Sequence, residues 1–237
     1  WRAFKVARCE PESATMKSFY LEPVDGKGVC PYSAGQYTCL RLKIPGQEYP
    51  VLRNYTISSA FAGKHLRITV KKEGDGLASR YLHNEVSVGT VLEVAPPAGV
   101  LTADVADRRP LVLVSAGVGI TPMFSLLQEA VEASNSSRRI FFIHGARSVS
   151  QHPFKSEVAA ITAKKHSVSC HYFYSQEVVS GAEKGRMTPK AILDISNGKD
   201  CCFFLCGPAA FLKEISEGLV AAGVSSGDVH FEAFGPQ

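Results

Sequence analysis

The residues best suited to chemistry lie in a glycine-containing turn, Ser115-Ala-Gly-Val-Gly-Ile-Thr-Pro122, between an apolar run and an amphipathic segment. Glycines let backbone N–H groups approach a pyrophosphate, and the N-terminus of a following helix adds a positive dipole end. The pattern has Pro122 where the dinucleotide fingerprint has its third glycine. We interpret Thr121 as the helix cap and Pro122 as the first helical residue. The turn predicts a dinucleotide site, with an unliganded strand-to-helix turn as the alternative.

A second candidate segment, Arg53-Asn-Tyr-Thr-Ile-Ser58, ends a predicted strand. The planar fork of Arg53 can pair with a phosphate. The ring of Tyr55 can stack on a flat ligand, and the hydroxyl of Thr56 can hydrogen-bond a polar ring edge. Strands commonly carry Tyr and Thr, so this segment taken alone favours an ordinary edge strand.

Two further loops open predicted helices. Gly74-Asp-Gly-Leu-Ala-Ser79 is a second possible anion cradle, with a hairpin loop capped by Ser79 as an equal alternative. Leu205-Cys-Gly-Pro208 follows a strand, at the end of the sheet where ligands gather in doubly wound folds. Cys206 could lie beside a reactive ring there, whereas most free cysteines are small buried hydrophobic residues.

The C-terminal segment, Phe231-Glu-Ala-Phe-Gly-Pro236, places a carboxylate between two aromatic residues. Such a strand is normally part of a core. Burial of Glu232 would raise its pKa and suit it to hold or relay a proton.

The elements that position these residues differ between the two parts of the chain. The first hundred or so residues are short strand-like runs separated by turn residues, which indicates a small barrel or sandwich with a helix at Ser79–Asn84. The predicted strands are Phe4–Arg8, Met16–Glu22, Tyr37–Ile44, Pro50–Ser58, His65–Lys72 and Val91–Ala95.

The second part alternates apolar strands with amphipathic helices, which is typical of a doubly wound parallel sheet. The predicted strands are Leu111–Ser115, Arg139–His144, His171–Tyr174, Phe203–Cys206 and His230–Phe234. The predicted helices are Thr121–Ala133, Phe154–Lys165, Thr188–Ser196 and Pro208–Ala222. We place the domain boundary after residue 108, giving domains 1–108 and 109–237.

Composition excludes several classes of protein. The 237 residues are 45% hydrophobic and 20% charged, as in an ordinary globular protein. The net charge is +4 and there is no long Lys/Arg run, so nucleic acid is a poor partner. The sequence contains no stretch of about 18 apolar residues, which a membrane-spanning helix would need. Because the chain begins with Trp1 rather than Met, we expect a part of a longer protein.

The seven cysteines are odd in number and irregularly spaced. This disfavours a disulfide framework and predicts a reducing, cytoplasmic location. Cys201 and Cys206 have the first spacing of a plant-type iron–sulfur loop, but Ala209 stands where the next thiol is required. We therefore expect no metal site.

Taken together and in this order, the segments resemble the ferredoxin–NADP reductase superfamily and, within it, the reductase portion of flavohaemoglobins (nitric oxide dioxygenases). The resemblance covers essentially the whole chain. The stretches that carry it are Ser18–Pro23, Gly35–Tyr37, Arg53–Thr56, Tyr81–His83, Val88–Gly89, Ser115–Pro122, Leu205–Pro208 and Phe231–Pro236.

The resemblance implies a six-stranded antiparallel FAD-binding barrel followed by a doubly wound NAD(P)-binding domain. It assigns Arg53 to the FAD pyrophosphate, Tyr55 to the isoalloxazine and Thr56 to its reactive edge. It also implies roles for Thr56, Cys206 and Glu232 next to the nicotinamide, as the catalytic groups. The other expected FAD contacts are Tyr37, Asn54, Val70, Gly76, Leu77, Ala78, Ser79, Ala233, Phe234, Gly235 and Pro236. The expected NAD(P) contacts are Gly117, Val118, Gly119, Ile120, Thr121, Pro122, Arg147, Ser148, Cys206, Gly207 and Pro208.

The choice between NADH and NADPH depends on the residues after the second parallel strand, His144-Gly-Ala-Arg-Ser148. This stretch lacks the acidic residue that binds the ribose of NAD, while Arg147 and Ser148 could accept a 2′-phosphate. The sequence therefore leans slightly toward NADPH.

The function implied by the resemblance is an NAD(P)H-dependent flavin oxidoreductase. It would pass electrons from NADH or NADPH through FAD to an iron centre in a haem globin or a two-iron ferredoxin domain. Two alternatives stay open, namely a flavin reductase that uses free flavin and a non-catalytic nucleotide-sensing module.

Overall fold

Two sheets organise the chain, and each belongs to its own unit. The computed structural model describes residues 1–133 and 138–233, and it divides into Trp1–Thr102 and a second unit that begins at Ala103. The division comes earlier than the boundary expected after residue 108. The reason is that the connecting residues bond to the second unit, where Arg138 donates to the backbone carbonyls of Asp104 and Arg109.

The first unit is built on a six-stranded sheet in which every pairing is antiparallel. The strand order is β4-β3-β6-β1-β2-β5. The strands are β1 (Arg2–Pro11), β2 (Met16–Pro23), β3 (Tyr37–Leu42), β4 (Val51–Thr56), β5 (Leu66–Lys71) and β6 (Val91–Val94), with helix α1 at Leu77–Asn84.

This sheet bends until its two outer strands meet. Just beyond β4, Ile57 pairs with Ile68 of β5, and the N–H of Ser58 donates to the carbonyl of Arg67 at 2.7 Å. Alternate side chains of β3 are buried, as expected for a strand with one face on a core. The sheet therefore approaches the predicted small barrel, with α1 placing Leu82 in its core.

The second unit is built on a six-stranded sheet in which every pairing is parallel. Its order is β10-β9-β8-β7-β11-β12. The strands are β7 (Leu111–Ala116), β8 (Ile140–Ala146), β9 (Val168–Tyr174), β10 (Glu183–Lys184), β11 (Cys202–Gly207) and β12 (Val229–Ala233). The helices are α2 (Ile120–Ala133), α3 (Lys155–Lys164), α4 (Pro189–Ser196) and α5 (Ala209–Ala221).

The strand order of the second sheet reverses between β7 and β11. This puts the switch point of the sheet beside the glycine-containing turn 115–122, which is predicted to bind a dinucleotide. Both strands are buried along nearly their whole length, as central parallel strands are when both faces are covered. The predicted fold class, an antiparallel sheet followed by a doubly wound parallel sheet, is confirmed.

Local details differ at the start of α2. Gly117–Gly119 forms a 3-10 turn that runs directly into α2 at Ile120. Thr121 therefore lies inside the helix, where its hydroxyl donates to the carbonyl of Val118 at 3.0 Å, and its interpretation as the cap is wrong. Thr188, in contrast, caps α4 by accepting from the N–H of Ala191, with Pro189 as the first helical residue. The short strand β10 was not predicted.

No helix within residues 1–133 and 138–233 combines the length and apolar character needed to cross a bilayer.

Candidate functional site

The turn Gly117–Gly119, which is predicted to bind a dinucleotide, begins at the carboxyl end of β7. Gly117 adopts φ +57°, in the left-handed region that glycine enters without strain. The 3-10 turn that follows has no side-chain cap. Its first N–H groups are therefore available to an anion at the N-terminal end of the α2 dipole.

The second glycine of this turn allows a close contact between backbones. A Cβ on Gly119 would overlap the carbonyl group of Cys206 and lie 2.7 Å from the nitrogen of Gly207. A Cβ on Gly207 would lie 2.8 Å from the ring of Phe211 and 3.2 Å from Cβ of Ala116. The turn after β7 and the end of β11 therefore meet at the switch point through glycines.

The predicted catalytic residues of the second unit share one row of the sheet. Cys206 pairs in register with Ser115 on one side and Glu232 on the other, so the three side chains share one face. Cys206 is fully buried, and its pKa is raised by burial and then by the charge of Glu232. Burial also raises the pKa of the half-buried Glu232. This carboxyl therefore keeps a proton to a higher pH than an exposed one does.

The predicted FAD residues of β4 divide between its two faces. Arg53 and Tyr55 point to one face, while Thr56 points to the other, beside its cross-strand partner Tyr37. Arg53 is half-buried and donates to the carbonyl of Leu52 at 2.7 Å. Burial raises the pKa of Tyr55 to about 12, so its hydroxyl stays protonated.

Three further residues predicted to contact FAD lie in β3, β4 and β5. Tyr37 exchanges N–H and C=O bonds with Ala98, both at 2.8 Å. Asn54 is half-buried opposite Cys39. The side chain of Val70 is buried in the core, and its carbonyl lies 2.8 Å from Nε2 of His83, which links β5 to α1.

The loop before α1 is closed by Ser79. Its hydroxyl donates to the carbonyl of Gly76 and accepts from the N–H of Glu73, both at 3.1 Å. A Cβ on Gly76 would lie 2.5 Å from that hydroxyl oxygen, so a larger residue there would displace the Ser79 hydroxyl from its bonds. Leu77 is exposed and Ala78 is buried. No side chain caps the first turn of α1, whose N–H groups suit a phosphate.

A carboxylate that the sequence pattern did not reveal lies beside the predicted ribose-binding loop. Val149 donates its N–H to Glu177, which follows β9, at 2.8 Å. The N–H of Gln176 donates to the carbonyl of Arg147 at 2.9 Å, so the two loops are joined. Arg147 is exposed, and the hydroxyls of Ser148 and Ser150 lie 3.0 Å apart. The signal that could have revealed Glu177 is its position just after β9, the strand that pairs with β8.

The remaining predicted residues are placed as follows. Ile120, Thr121 and Pro122 are buried in the first turn of α2, Val118 is half-buried, and Pro208 and Ala233 are exposed. Phe234, Gly235 and Pro236 lie outside the described residues. Within residues 1–133 and 138–233, no three His, Cys, Asp or Glu side chains form a group that could hold a metal ion.

The donor sets fit the two expected ligands, each within its own unit. The first unit offers a guanidinium, an aromatic ring, a hydroxyl and an uncapped helix start, which suit the pyrophosphate and the flat ring of FAD. The second unit offers the uncapped turn at Gly117 and the closely packed glycines of the switch point, which suit a dinucleotide.

Comparison with known proteins matches the two parts of the chain to FAD-binding and NAD-binding oxidoreductase domains. Residues 4–102 match the oxidoreductase FAD-binding domain family, and residues 113–217 match the oxidoreductase NAD-binding domain family. The crystal structure of the flavohem-like FAD/NAD-binding domain of nitric oxide dioxygenase from Vibrio cholerae is 36% identical. It matches with a TM-score of 0.92 over 99% of each chain.

The chain belongs to the family of flavohaemoglobin-type FAD/NAD-binding oxidoreductase domains. A flavohemoprotein of Oceanobacillus iheyensis is 36% identical over 242 residues, covering 100% of this chain and 59% of the relative. The flavohemoglobin of Malassezia yamatoensis, a structure with bound FAD and heme, is 26% identical with a TM-score of 0.88, over 99% of this chain and 60% of that one. The chain thus spans about 59% of the length of the curated relative.

Proposed function

We propose that this chain is the reductase portion of a longer flavohaemoglobin-type protein, which moves electrons from NADH or NADPH through FAD to a haem globin. The contact of Gly119 with the backbone of Cys206 and Gly207 carries the proposal, because it brings the uncapped turn at Gly117 to the switch point of the sheet, where a dinucleotide phosphate would bind. The family membership and the 59% coverage of the curated relative support a further domain.

In this proposal the residues of each unit bind and orient, while bound FAD supplies the chemistry that accepts a hydride and releases electrons singly. Arg53 pairs with the FAD pyrophosphate, Tyr55 lies against the ring, and Thr56 hydrogen-bonds its edge. The turn at Gly117 holds the pyrophosphate of the nicotinamide nucleotide. Glu232, whose pKa is raised by burial, holds a proton beside Cys206.

The deciding experiment is an anaerobic stopped-flow mix of the FAD-loaded protein with NADH or NADPH. We expect the flavin absorbance to bleach with at least one nucleotide. A spectrum that bleaches with neither contradicts the proposal.

The rival functions give different results in simple measurements. A protein that purifies colourless and turns over only with added flavin is a flavin reductase of the diffusing-substrate type. A protein that binds nucleotide without reducing ferricyanide is a sensing module. Reduction of a two-iron ferredoxin in preference to a globin would replace the acceptor class and leave the reductase chemistry in place.

A further inference from the structure

A buried group of polar rings in the second unit has no role in the function proposed above. We call His144, His152, Tyr172 and Tyr174 the imidazole cluster. His144 is 0% exposed and His152 is 4% exposed. Their ring centres lie 4.6 Å apart, and the edge of Tyr172 meets His152 at 4.7 Å between ring centres.

Each histidine uses one ring nitrogen and leaves the other without a partner. Nδ1 of His144 lies 2.9 Å from the hydroxyl of Ser115, and Nδ1 of His152 lies 2.7 Å from the hydroxyl of Tyr174. Nε2 of both rings is buried with no hydrogen-bond partner among the described residues. A buried nitrogen without a hydrogen bond lowers the free energy of unfolding, and a phenylalanine ring would fill the same space without burying such a nitrogen. The Nδ1 bonds are therefore the feature that distinguishes histidine here.

The bond of His144 reaches the turn that we assign to the pyrophosphate. Ser115 lies in β7, fully buried and in register with Cys206, and the chain enters Gly117 after one further residue. Holding the side chain of Ser115 fixes the strand end from which the turn departs.

The contacts of His152 fix the end of the loop that we assign to the ribose. The backbone N–H of His152 donates to the carbonyl of Val149 at 3.1 Å, inside the loop that begins at Arg147, and the imidazole bond to Tyr174 anchors this residue to β9. Shortly after it, Phe154 adopts φ +60°, a left-handed conformation that is strained for a bulky residue. The ring of Phe154 stacks on Phe124 of α2 at 4.6 Å, which holds the loop end against the helix that begins at the turn.

We propose that His144 and His152 are positioning residues that couple the turn Gly117–Gly119 to the loop 147–151, so that the pyrophosphate and the ribose of one dinucleotide meet prearranged partners. The path of contacts runs from Ser115 through both imidazoles to Tyr174. The proposal rests on the proposed function, because that function assigns the nucleotide to these loops.

The test uses the FAD-loaded protein with His152→Phe and His144→Phe, and Tyr174→Phe as the mildest change. Binding of NAD⁺ and NADP⁺ is measured by titration calorimetry, and KM and kcat are measured with the reduced nucleotides. We expect the Kd and KM to rise about tenfold, within the usual range for coupled sites, with kcat changed less than about twofold. The unfolding temperature should change little, because each histidine variant removes an unpartnered Nε2 but leaves the buried hydroxyl of Ser115 or Tyr174 without its bond.

Pairwise combination separates positioning from packing. If Ser115 acts through the cluster, Ser115→Ala and His152→Phe change the Kd less together than their single effects predict. Unchanged Kd and KM in all three single variants, with a wild-type protein that binds nucleotide, overturns the positioning role alone. A wild-type protein that binds neither nucleotide overturns the proposed function as well. If the histidine variants fail to fold, Tyr174→Phe decides by the same measurements.

Discussion

Glu177 accepts a hydrogen bond from the N–H of Val149 at 2.8 Å, and this bond brings a carboxylate to the loop that carries Arg147 and Ser148. A carboxylate there can accept from the 2′-hydroxyl of NADH and repels the 2′-phosphate of NADPH. The two joined loops therefore carry both a cation suited to NADPH and an anion suited to NADH.

The first prediction concerns this carboxylate. Glu177→Gln should raise the preference for NADPH over NADH about fivefold, since removing one half-buried charge near a phosphate is worth about 1 kcal/mol. The measurement is the ratio of kcat/KM for the two nucleotides. Glu183→Gln, at an exposed position in β10, is the matched control and should leave the ratio unchanged. An equal ratio in Glu177→Gln and wild type would show that the 2′-hydroxyl or 2′-phosphate of the nucleotide does not bind near Glu177.

The second prediction concerns the close contact at the switch point. Gly119→Ala forces a methyl group into the backbone of Cys206 and Gly207, and should cost about 1–3 kcal/mol of unfolding free energy together with nucleotide binding. Chemical unfolding and calorimetry measure the two losses. In Gly227→Ala, the new Cβ would meet its nearest neighbour at 3.7 Å, an ordinary contact, so this variant should behave like wild type. Retained stability and affinity in Gly119→Ala would contradict the close approach.

The sequence was sufficient to predict both sheets because their strands have different patterns of apolar residues. Alternating burial marks strands such as β3, while β7 and β11 are continuous apolar runs. The turn at Gly117 was visible because its glycines and Pro122 are adjacent in sequence. Glu177 was not, because its bond to Val149 depends on two loops that meet only when β8 and β9 pair. His144 and His152 read as ordinary strand and loop residues for the same reason.

The third prediction concerns FAD retention. Arg53→Ala should raise the Kd for FAD about tenfold or more, because a charge-assisted hydrogen bond to phosphate is worth about 1.5–3 kcal/mol. Arg53→Lys keeps the charge but lacks the planar guanidinium, so its Kd for FAD should lie between the values of the wild type and Arg53→Ala. Fluorescence titration of the apoprotein with FAD gives the constants. Arg80→Ala, at an exposed position in α1, should have no effect, and an unchanged Kd in Arg53→Ala would remove Arg53 from the pyrophosphate site.

The fourth prediction concerns a buried ion pair in the first unit. Arg67 is 3% exposed and donates to Glu12 at 2.7 Å, with a further bond from its Nε to Ser18. Glu12→Gln removes the carboxylate from its ion pair with the buried guanidinium and should cost about 3–5 kcal/mol. Asp194→Asn breaks an exposed pair with Lys190 and should cost less than about 1 kcal/mol. Equal urea midpoints for the two variants would show that the Arg67 pair is not buried in solution.

The last prediction concerns acid. Burial and the nearby charge of Lys155 lower the pKa of His152 to about 4. Burial and the neighbouring His152 lower the pKa of His144 well below its ordinary value. The unfolded chain takes up these protons below about pH 6.5 while the folded chain does not, so unfolding free energy should fall as the pH drops from about 6.5 to 4.

For His152 alone this loss is at most about 3 kcal/mol, and His152→Phe should remove it. Urea unfolding at pH 7.5 and 4.5 measures the difference, with Tyr172 and Tyr174 neutral at both values because burial raises their pKa. His166→Phe, which replaces an exposed ring, is the control for the substitution itself. If His152→Phe and wild type lose the same stability between the two pH values, the imidazole of His152 is reached by protons in the folded protein, and the cluster is open to solvent rather than buried.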